Sequence, residues 1–293
     1  MPSARSQLVS SVEEAQDAAG HIGYPVVIKP RAQSASFAVM RASGPDEVAG
    51  AFRRAWTNHP KRAWEHVQGV LVEEYLEGNE ISVDSVACGG QLDTVVHARK
   101  LLGYPPHFEE VGHIVAAPEL LVPHPAAVAA VVRAAHEALG IDNAVTHTEI
   151  RLTSRGPRIV EVNCRLGGGL IPELALASSG LDLATASADI AAGRSVYLKA
   201  TRELVAGIRF FYADSAGTIA SCELDPDLRG APWIQRLTWL IEPGAQVLPE
   251  PGRRYFARAG FAIVIAGTVQ ECEARMQTLA DHVDIRVRSR HDR

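Results

Sequence analysis

A chain of 293 residues, 47% of them hydrophobic, has material for a sizeable core and for two or three packed units. A formal net charge of −5 with no long basic run argues against nucleic acid or an anionic membrane as partner. Cys88, Cys164, Cys222 and Cys272 stand far apart, giving no sign of a zinc site or a disulfide framework; a reducing, cytoplasmic setting is the expectation. No stretch has the length of an apolar membrane-spanning helix, and the amino terminus lacks the apolar core of a signal peptide.

Along the chain, Ser11-Val12-Glu13-Glu14 predicts a helix start of capping-box type. Gly23 to Pro30 predicts a buried strand ending at Lys29, stopped by a proline that cannot continue the ladder. At that strand end Lys29 is either a point charge for a phosphate or a solvated terminus. Pro45 opens a second helix, completing a small α/β unit through about Tyr75. Val70 to Leu76 reads as an apolar strand, Glu77-Gly78-Asn79-Glu80 as a turn, and Ile81 to Val86 as an alternating strand. The Glu73 to Leu76 backbone could then meet an adenine edge, and Glu80 could accept hydrogen bonds from a ribose. Pro106 to His113 carries Glu109, Glu110 and His113, which are either substrate contacts or ordinary loop residues. An alanine- and valine-rich helix over Ala126–Leu139 reads as packed scaffold.

The densest signal follows. Val145 to Leu152 predicts a strand, Ser154 to Pro157 a turn, and Arg158 to Arg165 the returning strand. Strand side chains alternate faces, so Glu161, Asn163 and Arg165 share one wall. Glu149 and Glu161 each lie six positions from Arg155, so the hairpin sets them nearly opposite. Facing carboxylates repel, which a bound divalent cation would turn to use; Mg²⁺ takes oxygen ligands and completes its shell from phosphates and water. A hairpin whose polar face simply points to water is the alternative. Next come Leu166, Gly167-Gly168-Gly169 and a helix opened by Pro172. Glycines allow close backbone approach, and a helix N-terminus offers N–H groups to an anion, although a glycine turn needed only for packing would look the same. Beyond a candidate boundary at Gly193–Thr201, strands are expected over Val205–Tyr212, Ile234–Ile241 and Gly260–Val269, then a helix over Gln270–His282.

In this order and spacing the segments resemble the ATP-grasp superfamily: the strand ending in Lys29, Glu73 to Glu80, Glu149, and Glu161 with Asn163 and Arg165. The resemblance implies an α+β ATP-grasp fold, two subdomains clasping ATP, with a further C-terminal α+β domain. It implies phosphate contact for Lys29, adenine contact around Glu73, Glu74 and Leu76, and ribose contact for Glu80. It further implies magnesium ligation by Glu149, Glu161 and Asn163, with manganese as a substitute, and phosphate or acyl contact for Arg165. Pro106 to His113, Arg165 to Pro172 and the region after Ala200 are similar, more narrowly, to bacterial L-amino-acid ligases of the bacilysin type. That likeness implies substrate contacts for Glu109, Glu110, His113, Gly168 and Gly169.

The units expected are a partial small subdomain over 1–75, a large subdomain with the metal site over 76–194, and a C-terminal ligase-like domain over 195–293. The expected activity is an ADP-forming carboxylate–amine ligase that makes an amide through an acyl phosphate, from an amino acid or other small carboxylate and an amine. Two departures from the family pattern stand beside it. The domain that normally precedes the lysine strand, with its own phosphate-binding lysine, is not expected here, so a homodimer or a partner could supply it. The loop Arg31 to Ala38 has no glycine where the family often has several. The alternatives are a non-catalytic or partner-dependent ATP-binding fragment and, last, an ATP-grasp carboxylase.

Overall fold

In the computed structural model, residues 2–58 and 68–289 are described. Helix α1 (Val12–Ile22) starts at Ser11, whose Oγ accepts the Glu14 N–H at 3.1 Å, while the Glu14 carboxylate accepts the Ser10 N–H at 2.7 Å. Ala15, Ala18 and Ala19 form its buried stripe. Helix α2 (Pro45–Thr57) buries Val48, Ala51, Phe52 and Ala55, the i, i+3, i+4, i+7 spacing of an amphipathic helix. Both cover one face of an antiparallel sheet of β1 (Ser6–Val9), β2 (Val26–Pro30), β3 (Met40–Ala42) and β4 (Val70–Glu74), ordered β1-β4-β2-β3. Val26 and Ile28 enter this core, so strand alternation puts Val27 and Lys29 on the opposite face.

The main body is an eight-stranded antiparallel sheet ordered β12-β14-β10-β7-β6-β5-β8-β9. Its strands are β5 (Asn79–Cys88), β6 (Gln91–Gly103), β7 (Glu109–Ala116), β8 (Ala144–Thr153), β9 (Gly156–Asn163), β10 (Val205–Tyr212), β12 (Ile234–Trp239) and β14 (Arg258–Ala266). One face packs on α4 (Pro125–Leu139) and α7 (Val269–His282), the short α3 (Pro118–Leu121) adding Leu121. The other packs on α5 (Ile171–Ser179) and α6 (Leu183–Ala191). Both faces being covered, the central strands are buried on both sides. A small sheet, β13-β11-β15, is built from β11 (Gly217–Leu224), β13 (Gln246–Val247) and β15 (Val283–Arg288).

The expected boundary at Gly193–Thr201 falls in the connection between α6 and β10. Strand β10 is almost wholly buried and pairs with β7 on one side and β14 on the other, so β10, β14 and β12 extend the main sheet instead of founding a separate layer. The expected strand over Gly260–Val269 also stops earlier, at Ala266, because the Thr268 hydroxyl accepts the Glu271 N–H at 3.1 Å and caps α7. The stretch from Glu109 onward is strand, not loop.

Two crossings at the strand ends join the small sheet to the large one, beside a hydrogen bond from the Arg41 N–H to the Pro106 carbonyl at 3.1 Å. The chain passes from β4 to β5 through Tyr75–Gly78, where Gly78 (φ 137°) lies so close to the β8 backbone that a Cβ would stand 2.1 Å from the Leu152 carbonyl oxygen. The segment before β1 runs beside β9: the Pro2 carbonyl accepts the Ile159 N–H at 2.9 Å, and the Arg5 carbonyl accepts the Glu74 N–H at 2.8 Å. Among the described residues, no helix is long and apolar enough to cross a membrane.

Candidate active site

A cleft of about 1160 Å³ lies between the two sheets. Its geometry begins with register. On the large sheet, β5 pairs with β8 so that Glu80 faces Arg151, Ser82 faces Glu149 and Asp84 faces His147. On the other flank of β8, Glu149 faces Glu161 and His147 faces Asn163, with an irregularity between Glu149 and Ile150. Period-two alternation therefore carries three short polar rows onto one face.

Deep in that face the charges pair off. Lys100, from β6, donates to Glu149 and lies 3.8 Å from Glu80. Arg151 meets the other Glu80 oxygen at 2.9 Å, and its second amino group donates to the Gly78 carbonyl at 2.8 Å. His147 donates from Nδ1 to Asp84 at 2.5 Å, and its Nε2 stands 3.4 Å from Glu149. Burial would neutralise the Lys100 ammonium, but Glu149, Glu110 and Glu80 outweigh it and hold the pKa well above the usual lysine value. Burial likewise opposes ionisation of Glu149, yet Lys100 and His147 keep its carboxyl far below the carboxylate range. Glu80 goes the other way: burial and the Glu149 charge raise it despite Lys100 and Arg151. Against burial, hydrogen bonds to Asp84 and Glu149 hold His147 up to about 9. Glu149 is thus an ionised, half-buried carboxylate held by Lys100 and His147.

Nearer solvent, Asn163 donates from Nδ2 to Glu161 at 2.8 Å, which leaves its amide oxygen as an acceptor. Among the described residues no three His, Cys, Asp or Glu side chains converge as a metal cluster. The hairpin offers instead two carboxylates and one amide oxygen, a hard-oxygen set that fits a cation sharing its shell with phosphates. Arg165 is exposed beside them and hydrogen-bonds the Leu166 carbonyl. Two of the three glycines that follow are sterically required. A Cβ on Gly169 (φ 60°) would come 2.6 Å from the His113 ring, and one on Gly167 would come 2.8 Å from Asp84 Oδ2. His113, wholly buried, donates to Glu110 at 2.9 Å; against burial, Lys100 and His113 draw Glu110 down to about 2. Glu109 is also buried, and burial raises its pKa.

The small sheet supplies the opposite wall. Lys29 pairs with Glu73 at 2.8 Å across β2 and β4. The Glu74 side chain meets Arg155 at the hairpin turn and Arg5 at 3.5 Å, so it fastens the two sheets. Tyr75 follows, with Arg41 stacked 4.6 Å from its ring centroid and Phe108 at 6.2 Å. In the glycine-free loop, Ala35, Ser36 and Ala38 take left-handed φ of 57°, 52° and 60°. Phe37 there packs edge-on against Phe256 at 5.9 Å, under the Arg253 guanidinium at 5.0 Å.

Lys29, Glu73, Glu74, Leu76, Glu80, Glu109, Glu110, Glu149, Glu161, Asn163, Arg165, Gly168 and Gly169 all line this cleft; His113 stands behind it. Sequence reasoning missed Lys100, Asp84, His147, Arg151 and Arg258, and reached Tyr75 only as part of the Glu73 to Leu76 backbone. His147 and Arg151 were within reach, since they flank Glu149 at i−2 and i+2 on β8, the same alternation that grouped Glu161 with Asn163. Lys100 carried no such signal, because β6 has no clean apolar alternation.

Residues 22–173 match the ATP-grasp domain family, and residues 209–288 match L-amino acid ligase C-terminal domain 2. The uncharacterized protein y4rH of Sinorhizobium fredii is 27% identical over 279 residues, which cover 94% of this chain and 56% of that protein; the chain thus spans little more than half its relative's length. Dapdiamide A synthase of Enterobacter agglomerans is 27% identical over 165 residues, 53% of this chain and 36% of that one. The crystal structure of an L-amino acid ligase from Bacillus licheniformis superposes with a TM-score of 0.78 at 23% identity, covering 99% of this chain and 69% of that chain. The family match spans the lysine strand, the hinge and the carboxylate hairpin together, and the chain belongs to the ATP-grasp family.

Proposed function

We propose that this chain is an ATP-dependent carboxylate–amine ligase that forms an amide or peptide bond through an acyl phosphate and releases ADP and phosphate. The observation that carries the reading is the pairing of Glu149 with Glu161, Asn163 beside them, in one cleft with Lys29 and Arg165 and in one chain with a match to an amino-acid ligase C-terminal domain. Magnesium, or manganese in its place, would be held by Glu149, Glu161 and Asn163 and would offset charge on the nucleotide phosphates.

The chain's own residues have separable tasks. Tyr75 and Leu76 offer an adenine platform, and Glu80, fixed by Arg151, is set beside it for the ribose. Lys29 meets phosphate as a point charge, exchanging part of its pairing with Glu73 for the ligand. Arg165 and the backbone at Gly168–Gly169 stabilise the transferring phosphoryl group and the acyl oxygen. The donor carboxylate attacks the γ-phosphorus and the bond to ADP breaks; the amine then adds to the acyl carbon, phosphate leaves, and the amine loses a proton. Positioning and charge suffice for such transfer, so no nucleophilic side chain is needed.

The test is ADP release from Mg-ATP with amino acids supplied singly and in pairs, and with bicarbonate alone. Release that needs an amino acid supports the reading; release with bicarbonate alone moves it to a carboxylase, and tight ATP binding without release to a non-catalytic module. Glu161→Gln is expected to weaken magnesium-dependent ATP binding by about tenfold, the loss of one charge-assisted ligand, with an unchanged melting curve. Arg165→Ala is expected to depress ligation more than ATP binding; equal losses in both would reject its role in transfer.

A further inference from the structure

Most cations lining the cleft already have an anion. Lys29 has Glu73, Lys100 has Glu149, Arg151 has Glu80, and Arg253 has Glu250 at 3.2 Å. Arg31 and Arg165 are exposed. Arg258 differs: it is half-buried, it lines the cleft, and among the described residues it has no carboxylate partner. Its hydrogen-bond partner is the Tyr212 hydroxyl, which accepts from Nε at 3.2 Å and Nη2 at 2.9 Å and itself donates to the Glu110 carbonyl at 2.8 Å. The position is fixed by register, since Arg258 opens β14 opposite Tyr212 at the β10 bulge.

The guanidinium plane is fixed as well. It lies 3.5 Å from the Phe210 ring centroid, 4.8 Å from Tyr255 and 5.5 Å from Tyr212. Stacked rings hold a guanidinium by its face, and with the Nε–Nη2 edge given to Tyr212 the Nη1–Nη2 end is left as a fork of N–H donors, the geometry that takes a carboxylate by two bonds. A half-buried cation without a counter-ion is costly, and an anionic ligand removes that cost. The neutral aromatic surroundings suit a small organic carboxylate better than a polyphosphate, whose charge is met across the cleft by Lys29 and the hairpin residues.

We infer that Arg258 binds the free carboxylate of the amine-bearing substrate, so that the ligase takes amino acids, rather than simple amines, as acyl acceptors. This rests on the ligase reading, because the carboxylate to be phosphorylated belongs beside the hairpin, whereas one gripped at Arg258 stays unreacted. Tyr212 is then a positioning residue that sets the fork through its own bond to the Glu110 carbonyl.

The experiment uses the whole chain with Mg²⁺ and a non-hydrolysable ATP analogue, and titrates each protein amino acid beside its carboxamide. For at least one pair, the acid is expected to bind wild type about tenfold or more tightly than the amide, the scale of a charge-assisted bidentate contact. Arg258→Met is expected to erase that preference, Arg258→Lys to restore part of it, and nucleotide affinity to stay constant in all three proteins. Absence of a preference in wild type, its persistence in Arg258→Met with the fold confirmed by an unchanged nucleotide affinity, or a loss of nucleotide affinity in Arg258→Lys would overturn the assignment. ADP release by wild type separates the two readings. An Arg258-dependent preference without release keeps the subsite and sinks the ligase; release with amide and acid used equally keeps the ligase and sinks the subsite.

Discussion

Lys100 is the residue on which the buried charge of the site balances, since Glu149, Glu80 and Glu110 all owe part of their ionisation state to it. Removing one partner of a buried ion pair typically costs about 3–5 kcal/mol because the other charge is stranded. Lys100→Met is therefore expected to lower unfolding free energy by about that much, measured by urea denaturation at neutral pH. The role of His147 is positional: held by Asp84, it steadies the Glu149 carboxylate from behind. A second buried imidazole ties stability to pH. Among the described residues both nitrogens of His97 lack a partner, and burial drives its pKa down to about 4, against opposing effects of Glu119 and Asp84. Its folded pKa lies below the unfolded value, so the unfolded chain takes the proton first on acidification. Stability should accordingly fall as pH drops from about 6.5 to about 4 and level off below, with a loss of order 2 kcal/mol between pH 7 and pH 5. Replacing His97 by Phe should flatten this dependence in urea melts at the two pH values.

Among the elements, the hairpin and the loop at 31–38 show where sequence logic reaches and where it stops. The Glu149–Glu161 opposition was legible in part: alternation and a short turn mark the two strands, but the turn itself pairs Ile150 with Ile159, and it is the irregularity between Glu149 and Ile150 that sets Glu149 opposite Glu161. Strands such as Val205–Tyr212 and helices such as α2 were legible for the same reason, an apolar pattern with marked ends. What lay hidden depended on distant pairing. Strand β6 is read as strand only with β5 and β7 on either side, and the continuity of β10 with β7 joins segments about ninety positions apart, a contact that no local pattern encodes. Glycine's absence from the loop was visible; that Ala35, Ser36 and Ala38 would adopt left-handed φ regardless was not. Each such residue costs about 1 kcal/mol, partly offset by the greater unfolded freedom of glycine. Ala35→Gly, at an exposed site, should therefore raise unfolding free energy by about 0.5 kcal/mol in chemical denaturation.

At the scale of the molecule, the cleft is closed from above by contacts between the small sheet's loops and the far end of the chain. Phe37 rests on Phe256, Arg253 donates to Asn58 Oδ1 at 2.6 Å, and Arg54 donates to the Pro251 carbonyl. Phe37→Ala should loosen this closure, seen as faster hydrogen exchange over residues 31–38 and weaker ATP binding, with little change in global stability. The segment before β1 adds a mechanical consequence. A body joined to its neighbour at one flexible link can swing and twist about every direction, whereas one pinned at two separated places keeps a single axis, as a door does. Pro2 and Arg5 provide the second pin beside the link at Tyr75–Gly78, and Glu74 clasps both pins to the hairpin turn. Once the Phe37, Arg41, Arg54 and Arg253 contacts part, opening would be a rotation that carries Lys29 and the 31–38 loop through an arc about Tyr75, so a nucleotide would remain seated by its base while its phosphate end is covered and uncovered.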